Sequence, residues 1–225
     1  MFDQAGIAYC CEGQKTLKSA CLEIGVSAED VILALEDAAK DEKGCDARDY
    51  SKTFEYLILR ILRTHHEGLK QALSPLKALA ATAVEHNRAK HPELVVIEEL
   101  VQLLSSEVTA HLAEEERNLF PALLQLELAY LGENPGSSYP KHVQDILKSM
   151  SQQHGAFGST LRRLSTESDK FRSLEQADPS LHEFYRSLQK FSVDMHRDIH
   201  VENNVLFPQA AQMETEIFHG FRFGS

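Results

Sequence analysis

Six side chains that can bind metal ions interrupt otherwise apolar helical stripes in this sequence. The stripes emerge when residues are taken at alternating three- and four-residue steps, which is the spacing of one helix face. The interrupting residues are three histidines and three carboxylates: His66, His111, Glu115, His154, Asp198 and Glu202. Because burying an unpaired carboxylate costs several kcal/mol, this set predicts a common compensating cation.

Two pairs of these residues have a spacing that suits one metal centre. His111 and Glu115 are four residues apart, as are Asp198 and Glu202. Four residues correspond to about 40° around a helix and about 6 Å along it, so both members of a pair can reach one centre. Imidazole and carboxylate ligands suit a pair of iron ions, and manganese or zinc can occupy the same ligands.

The apolar spacing predicts four long helices that position these residues. They span 50–90, 93–131, 140–173 and 180–213. The predicted buried stripes run from Leu59 to Leu76, Leu100 to Leu126, Val143 to Leu164 and Leu181 to Val205. Strand-like period-two alternation is nearly absent, and the connections are short. The pattern therefore predicts an all-α fold built on an antiparallel four-helix bundle.

The two halves of the predicted bundle repeat each other. Residues 115–121 read Glu-Glu-Arg-Asn-Leu-Phe-Pro, and residues 202–208 read Glu-Asn-Asn-Val-Leu-Phe-Pro. The separation of His66 from His111 also nearly equals that of His154 from Asp198. We expect each half to offer one ligand from its first helix and two from its second. A lone buried histidine is more often a hydrogen-bonded core residue, but four matching stripes favour the metal site.

Two histidines near Asp198 are alternative ligands. His196 and His200 lie about 120° and about 160° around the helix from Glu202, whereas Asp198 shares the face of Glu202. Either histidine would need local distortion to reach the site. We therefore expect Asp198 to be the ligand.

Two further histidines in the first predicted helix are weaker candidates. His86 lies about 30 Å along a continuous helix from His66, so we expect it to be structural or peripheral. His65 adjoins His66 but points about 100° away from it, which places it beside the site.

The N-terminal residues have a different pattern and predict a small helical domain over 1–48, followed by the bundle domain over 49–225. A first short helix is predicted over 16–24. Cys10 and Cys11 lie just before it, where the positive end of the helix can lower a thiol pKa. Thiol chemistry on iron, nitric oxide or a partner cluster is one interpretation, and a pair of free thiols is the other.

The composition excludes several classes of partner. The chain of 225 residues carries 34 acidic and 23 basic side chains, which gives a formal charge of −11. This acid excess argues against nucleic acid and anionic membranes as principal partners. The sequence shows neither a secretory signal nor an apolar run of about 18 residues, so we expect a cytoplasmic protein with reduced cysteines.

The segment Tyr9-Cys10-Cys11-Glu12-Gly13-Gln14-Lys15-Thr16-Leu17, together with the motifs at 111–116 and 202–208, resembles the iron–sulfur cluster repair di-iron proteins. These proteins of the RIC type pair a small Cys-Cys domain with a hemerythrin-like bundle, and the resemblance covers nearly the whole chain. It implies a non-haem centre of two iron ions with carboxylate and oxo bridges. The implied ligand positions are His66, His111, Glu115, His154 and Glu202, with the two glutamates as bridges.

The chain departs from the family pattern at two informative positions. Asp198 stands where family members usually have His, four residues before the second bridging glutamate. Glu12 replaces the first Gly of the familiar Tyr-Cys-Cys-Gly-Gly, which restricts the loop that carries the thiols.

The resemblance implies that the protein repairs iron–sulfur clusters damaged by nitric oxide or oxidants. Its partners would be iron–sulfur client proteins, with nitric oxide or oxygen species as small ligands. It would act as an iron delivery factor rather than as an enzyme in the strict sense. Two alternatives remain: a di-iron reductase of nitric oxide or peroxide, and a hemerythrin-like sensor that binds oxygen or nitric oxide reversibly.

Overall fold

Helices form where the apolar spacing predicts them. The computed structural model describes residues 16–29, 31–32, 53–132, 143–172 and 178–219, and within these ranges there is no strand. In chain order the α-helices are α1 (Leu17–Ile24), α2 (Phe54–Ile61), α3 (Glu67–Asn87), α4 (Glu93–Glu114), α5 (Phe120–Leu131), α6 (Val143–Glu167), α7 (Pro179–Val201) and α8 (Phe207–Phe218). None of these helices is both long enough and apolar enough to cross a membrane.

Three single turns of π-helix join pairs of these α-helices. They are π1 (Leu62–His66), π2 (Glu115–Leu119) and π3 (Glu202–Leu206). The first bundle helix is therefore α2–π1–α3, the second is α4–π2–α5, the third is α6 and the fourth is α7–π3–α8. The predicted all-α fold is confirmed.

Helix α1 has the boundaries that its capping residues predict. The Thr16 side chain accepts a hydrogen bond from the Ser19 N–H at 3.2 Å, and Gly25 ends the helix with a φ of 70°. Within α1, Cys21 is a buried free thiol. Cys10, Cys11 and the expected domain boundary near residue 49 lie outside the described residues.

The apolar core consists of two clusters with a polar level between them. One cluster contains residues from 69–83, 94–112, 157–164 and 181–199, and the other contains residues from 54–61, 119–126, 143–150 and 206–210. Consecutive helices thus contribute alternately their C-terminal and N-terminal halves to the same cluster. Neighbouring helices in sequence therefore run antiparallel, as predicted.

A carboxylate from the second helix of each half caps the first helix of that half. Glu127 Oε1 accepts a hydrogen bond from the Phe54 N–H at 2.9 Å, at the start of α2. Glu214, which is buried, accepts hydrogen bonds from the backbone N–H groups of Val143 at 3.0 Å and Gln144 at 3.1 Å, at the start of α6. Each helix start thereby gains partners for its otherwise unpaired N–H groups, and a negative charge at its positive end.

The predicted stripes are wrong at three positions, each in or beside a π turn. Leu59 is 43% exposed and Leu62 is only half-buried, while Leu57 and Ile61 are buried instead. Val205 is only half-buried, while Leu206 is fully buried. A π turn adds one residue to the helix. The buried positions after the turn are therefore shifted by one residue relative to the regular spacing before it. The stripes of the second and third bundle helices are buried as predicted.

Candidate metal centre

The six side chains that interrupt the stripes lie at one level of the bundle, and all four bundle helices contribute to it. Each is at most 2% exposed. In chain order they are His66 at the end of π1, His111 in α4, Glu115 at the start of π2, His154 in α6, Asp198 in α7 and Glu202 at the start of π3. The structure thus brings together every residue that the stripes single out.

Four of these side chains form what we call the two-histidine position. The Nε2 atoms of His111 and His154 face each other at 3.0 Å. His111 Nε2 lies 3.2 Å from Glu115 Oε1, and His154 Nε2 lies 3.3 Å from Glu202 Oε2. These four residues offer donor atoms within 4.8 Å of one another, which is compatible with ligation of one cation.

The other oxygen of each glutamate faces a second group, the one-histidine position. His66 Nε2 lies 3.4 Å from Glu115 Oε2 and 3.7 Å from Glu202 Oε1. It also lies 3.9 Å from Asp198 Oδ1. Each glutamate therefore presents one oxygen to each position, which is the arrangement needed to bridge two cations.

The donor atoms of this layer lack ordinary hydrogen-bond partners. Among the described residues, the buried atoms without one include His66 Nε2, Asp198 Oδ1 and both carboxylate oxygens of Glu115 and of Glu202. Leaving a buried charged group without a partner is strongly unfavourable. The residues fit a pair of cations, because cations would satisfy all of these atoms together.

The pKa values of the buried groups in this layer depend on one another. Burial alone would lower the pKa of His66, but the Glu115 and Glu202 carboxylates outweigh it and raise that pKa to about 11. Burial raises the pKa of Asp198 well above its usual range, and the neighbouring Glu202 charge adds to the effect. Burial likewise raises the pKa of Glu202. The pKa of Glu115 falls well below its usual range despite burial, because three imidazoles surround its carboxylate.

The Nδ1 atom of each histidine contacts a side-chain oxygen from another helix. The pairs are His66 with Glu116 at 2.8 Å, His111 with Gln153 at 2.9 Å, and His154 with Asn203 at 2.9 Å. An Nδ1–H that donates to such an oxygen fixes the ring orientation and leaves Nε2 free to bind a metal.

Sequence reasoning missed these three partners. Each stands directly beside a stripe residue in the sequence: Glu116 after Glu115, Gln153 before His154, and Asn203 after Glu202. That adjacency places them next to the layer but does not show which histidine each one contacts.

The π turns help to place the two glutamates. Glu115 and Glu202 open π2 and π3, and their carbonyls accept hydrogen bonds from the N–H groups of the residues five positions later. Pro121 and Pro208 follow these turns. A proline has no N–H, and its ring would clash with the carbonyl four residues earlier in a regular α-helix. The wider π turn is a common way to adjust a helix at a functional site.

The alternative histidines do not join the layer. Asp198 is buried at 1% exposure, whereas His196 and His200 are only half-buried, and Asn204 donates a hydrogen bond to His200 Nδ1. His65 is half-buried beside the layer, where burial lowers its pKa. His86 is exposed near the end of α3.

Comparison with known proteins agrees with this architecture. The family described as "Hemerythrin HHE cation binding domain" matches residues 57–210, and ScdA_N, described as a domain of unknown function (DUF542), matches residues 1–39. The chain is 24% identical to the iron-sulfur cluster repair protein ScdA of Staphylococcus haemolyticus, covering 92% of this chain and 89% of that protein. It is 26% identical to the iron-sulfur cluster repair protein YtfE of Pectobacterium atrosepticum, covering 95% and 91%. The chain therefore belongs to the hemerythrin HHE cation-binding domain family.

Proposed function

We propose that this chain repairs damaged iron–sulfur clusters and that its bundle holds two iron ions as the cargo for that repair. The observation that carries the proposal is the buried layer in which Glu115 and Glu202 each face two cation positions. Relatives named as iron-sulfur cluster repair proteins match more than nine-tenths of the chain, which supports the same role.

The residues divide the work of holding the cations. His111 and His154 would hold one iron, and His66 and Asp198 the other, with Glu115 and Glu202 shared between them. When bound there, two ferrous ions would supply labile iron and a non-haem centre for nitric oxide or oxygen species. The three carboxylates would offset three of the four positive charges of two divalent ions in the apolar core.

The remaining residues orient the layer and separate it from water. Glu116, Gln153 and Asn203 hold the imidazole rings through Nδ1. Phe157 lies against His111 with a ring separation of 5.0 Å, and Phe207 stacks on His154 at 5.7 Å. We propose that Cys10 and Cys11 carry out thiol chemistry with a client cluster. We also propose that the protein acts in the cytoplasm.

Reactivation of a damaged client tests the proposal. A dehydratase whose [4Fe–4S] cluster has lost one iron to an oxidant, leaving a [3Fe–4S] cluster, is incubated anaerobically with the iron-loaded protein and a reductant that supplies the one electron needed with each Fe²⁺. We expect client activity to return while iron leaves the bundle, to a greater extent than with an equal amount of free ferrous iron. Asp198→Ala, which removes a proposed ligand from the one-histidine position, should transfer less iron per chain.

The alternatives predict different outcomes. Catalytic consumption of nitric oxide or peroxide with an electron donor, without client recovery, would replace repair with a reductase activity. Reversible binding of oxygen or nitric oxide with neither outcome would indicate a sensor. Either result would contradict the repair function.

A further inference from the structure

The two cation positions differ in ligand chemistry. Glu202 belongs to both groups of donor atoms, and Glu115, which belongs to the two-histidine group, also lies 3.4 Å from His66 Nε2. The difference between the positions therefore lies in the remaining residues. The two-histidine position adds two imidazoles, from His111 and His154. The one-histidine position adds one imidazole from His66 and a third carboxylate from Asp198. It is therefore the richer in oxygen and the more negative of the two.

The internal repeat shows where this difference originates. His66 and His154 occupy equivalent places in the first helix of each half. In the second helices, His111 and Asp198 each stand four residues before the shared glutamate. A fully symmetric bundle would thus hold each cation with two imidazoles. The single exchange of imidazole for carboxylate at residue 198 makes the positions unequal.

The surroundings of the one-histidine position reinforce the inequality. The Nδ1 partner of His66 is the Glu116 carboxylate, which Lys70 contacts at 2.6 Å, whereas the other two histidines have amide partners. A surface groove of about 400 Å³ is lined by Glu116 and by Phe120, whose ring lies 5.5 Å from that of His66. Two side chains that contact His66 thus also line this groove.

From these differences we infer that the one-histidine position discriminates less against manganese than the two-histidine position does, so the chain holds a mixed pair when manganese is in large excess over iron. Sites of this kind bind Fe²⁺ more tightly than Mn²⁺, but an added imidazole favours Fe²⁺ over Mn²⁺ more than an added carboxylate does. The inference rests on the proposed two-cation site. It is independent of whether the cations serve cluster repair.

A competition experiment on the full chain tests this assignment. The metal-free protein is loaded anaerobically with an excess of Fe²⁺ and a much larger excess of Mn²⁺, and unbound metal is removed. We expect about one iron and about one manganese per chain by elemental analysis, with a Mn²⁺ signal in electron paramagnetic resonance that differs from that of aqueous Mn²⁺. Asp198→His should raise the iron content to about two per chain and remove most of the manganese.

Two further variants keep the experiment decisive. Asp145→His makes the same exchange on an exposed part of α6 and should load like the wild type. His111→Asp makes the two-histidine position rich in oxygen and should raise manganese uptake, so the inference stays testable if Asp198→His fails to fold. Circular dichroism melts verify folding in each case.

Specific results would overturn the inference. Wild-type protein that binds two irons and no manganese, or two manganese ions and no iron, shows that the positions do not discriminate as assigned. An Asp198→His variant that folds and still holds a mixed pair removes the role of Asp198. Loading with fewer than two metals under every condition would contradict the two-cation site itself, and so the proposed function as well.

Discussion

The metal-free protein should lose stability as the pH rises through the range in which an ordinary histidine deprotonates. Glu115 and Glu202 hold the pKa of buried His66 at about 11, against 6.5 for an ordinary histidine. Between these two values the folded chain keeps a proton that the unfolded chain releases. The stabilisation that comes from protonated His66 is therefore complete below about pH 6.5 and is lost as the pH rises toward 11.

The magnitude follows from the size of the shift. Each pH unit between the two pKa values removes about 1.4 kcal/mol. Going from about pH 6.5 to about pH 9 should therefore lower the free energy of unfolding by about 3 kcal/mol. Asp198 and Glu202 change stability in the same direction, because burial raises the pKa of both carboxyls and their protonated forms favour the folded state.

Urea unfolding of the chelator-treated protein at the two pH values measures this effect. The metal-loaded protein serves as the comparison, because a bound cation replaces the proton on His66 Nε2 and removes the dependence on that proton. The variant His66→Gln should show a smaller slope with pH. Metal-free stability that is constant or rises with pH, or an unchanged slope in His66→Gln, would refute the electrostatic account of the layer.

Three other predictions concern individual contacts. Asp198→Ala should reduce binding from two metal ions to one, measured by elemental analysis after anaerobic loading, and unchanged content and spectrum would exclude Asp198 as a ligand. Asn203→Ala should weaken metal binding by about 10–100-fold, because His154 loses its orienting oxygen. A competition titration with a chromogenic chelator measures this affinity, and an unchanged value would show that Asn203 does not orient His154 for metal binding. Glu214→Ala should lower the free energy of unfolding by about 1–3 kcal/mol, because two N–H groups at the start of α6 lose their acceptor. The exposed variant Glu85→Ala is its control, and an equal loss in both would argue against the cap.

The buried layer of polar residues could be predicted from sequence because polar residues in an apolar stripe are conspicuous. His154 and Asp198 stand among apolar residues whose spacing is regular over six or seven helical turns. The repeat at 115–121 and 202–208 added a second, independent signal. The preference for Asp198 over His196 and His200 also followed from helix geometry alone, because all three precede the π turn.

The features that were missed depend on tertiary structure. A π turn adds one residue to a helix without leaving a mark in the composition. The regular helical spacing of the residues after His66 was therefore continued to the residues before it, and Leu59 was wrongly assigned to the core. Glu116, Gln153 and Asn203 resemble ordinary surface residues in the sequence. Their role depends on which helices become neighbours, as does that of Glu214, which caps a helix 71 residues away.

Mössbauer spectroscopy on the anaerobically purified protein after loading with iron alone, combined with its metal content, tests the central claim most directly. The layer of His66, His111, Glu115, His154, Asp198 and Glu202 predicts two magnetically coupled iron ions per chain. A single isolated iron, or a site that retains zinc and excludes iron, would contradict the two-iron centre.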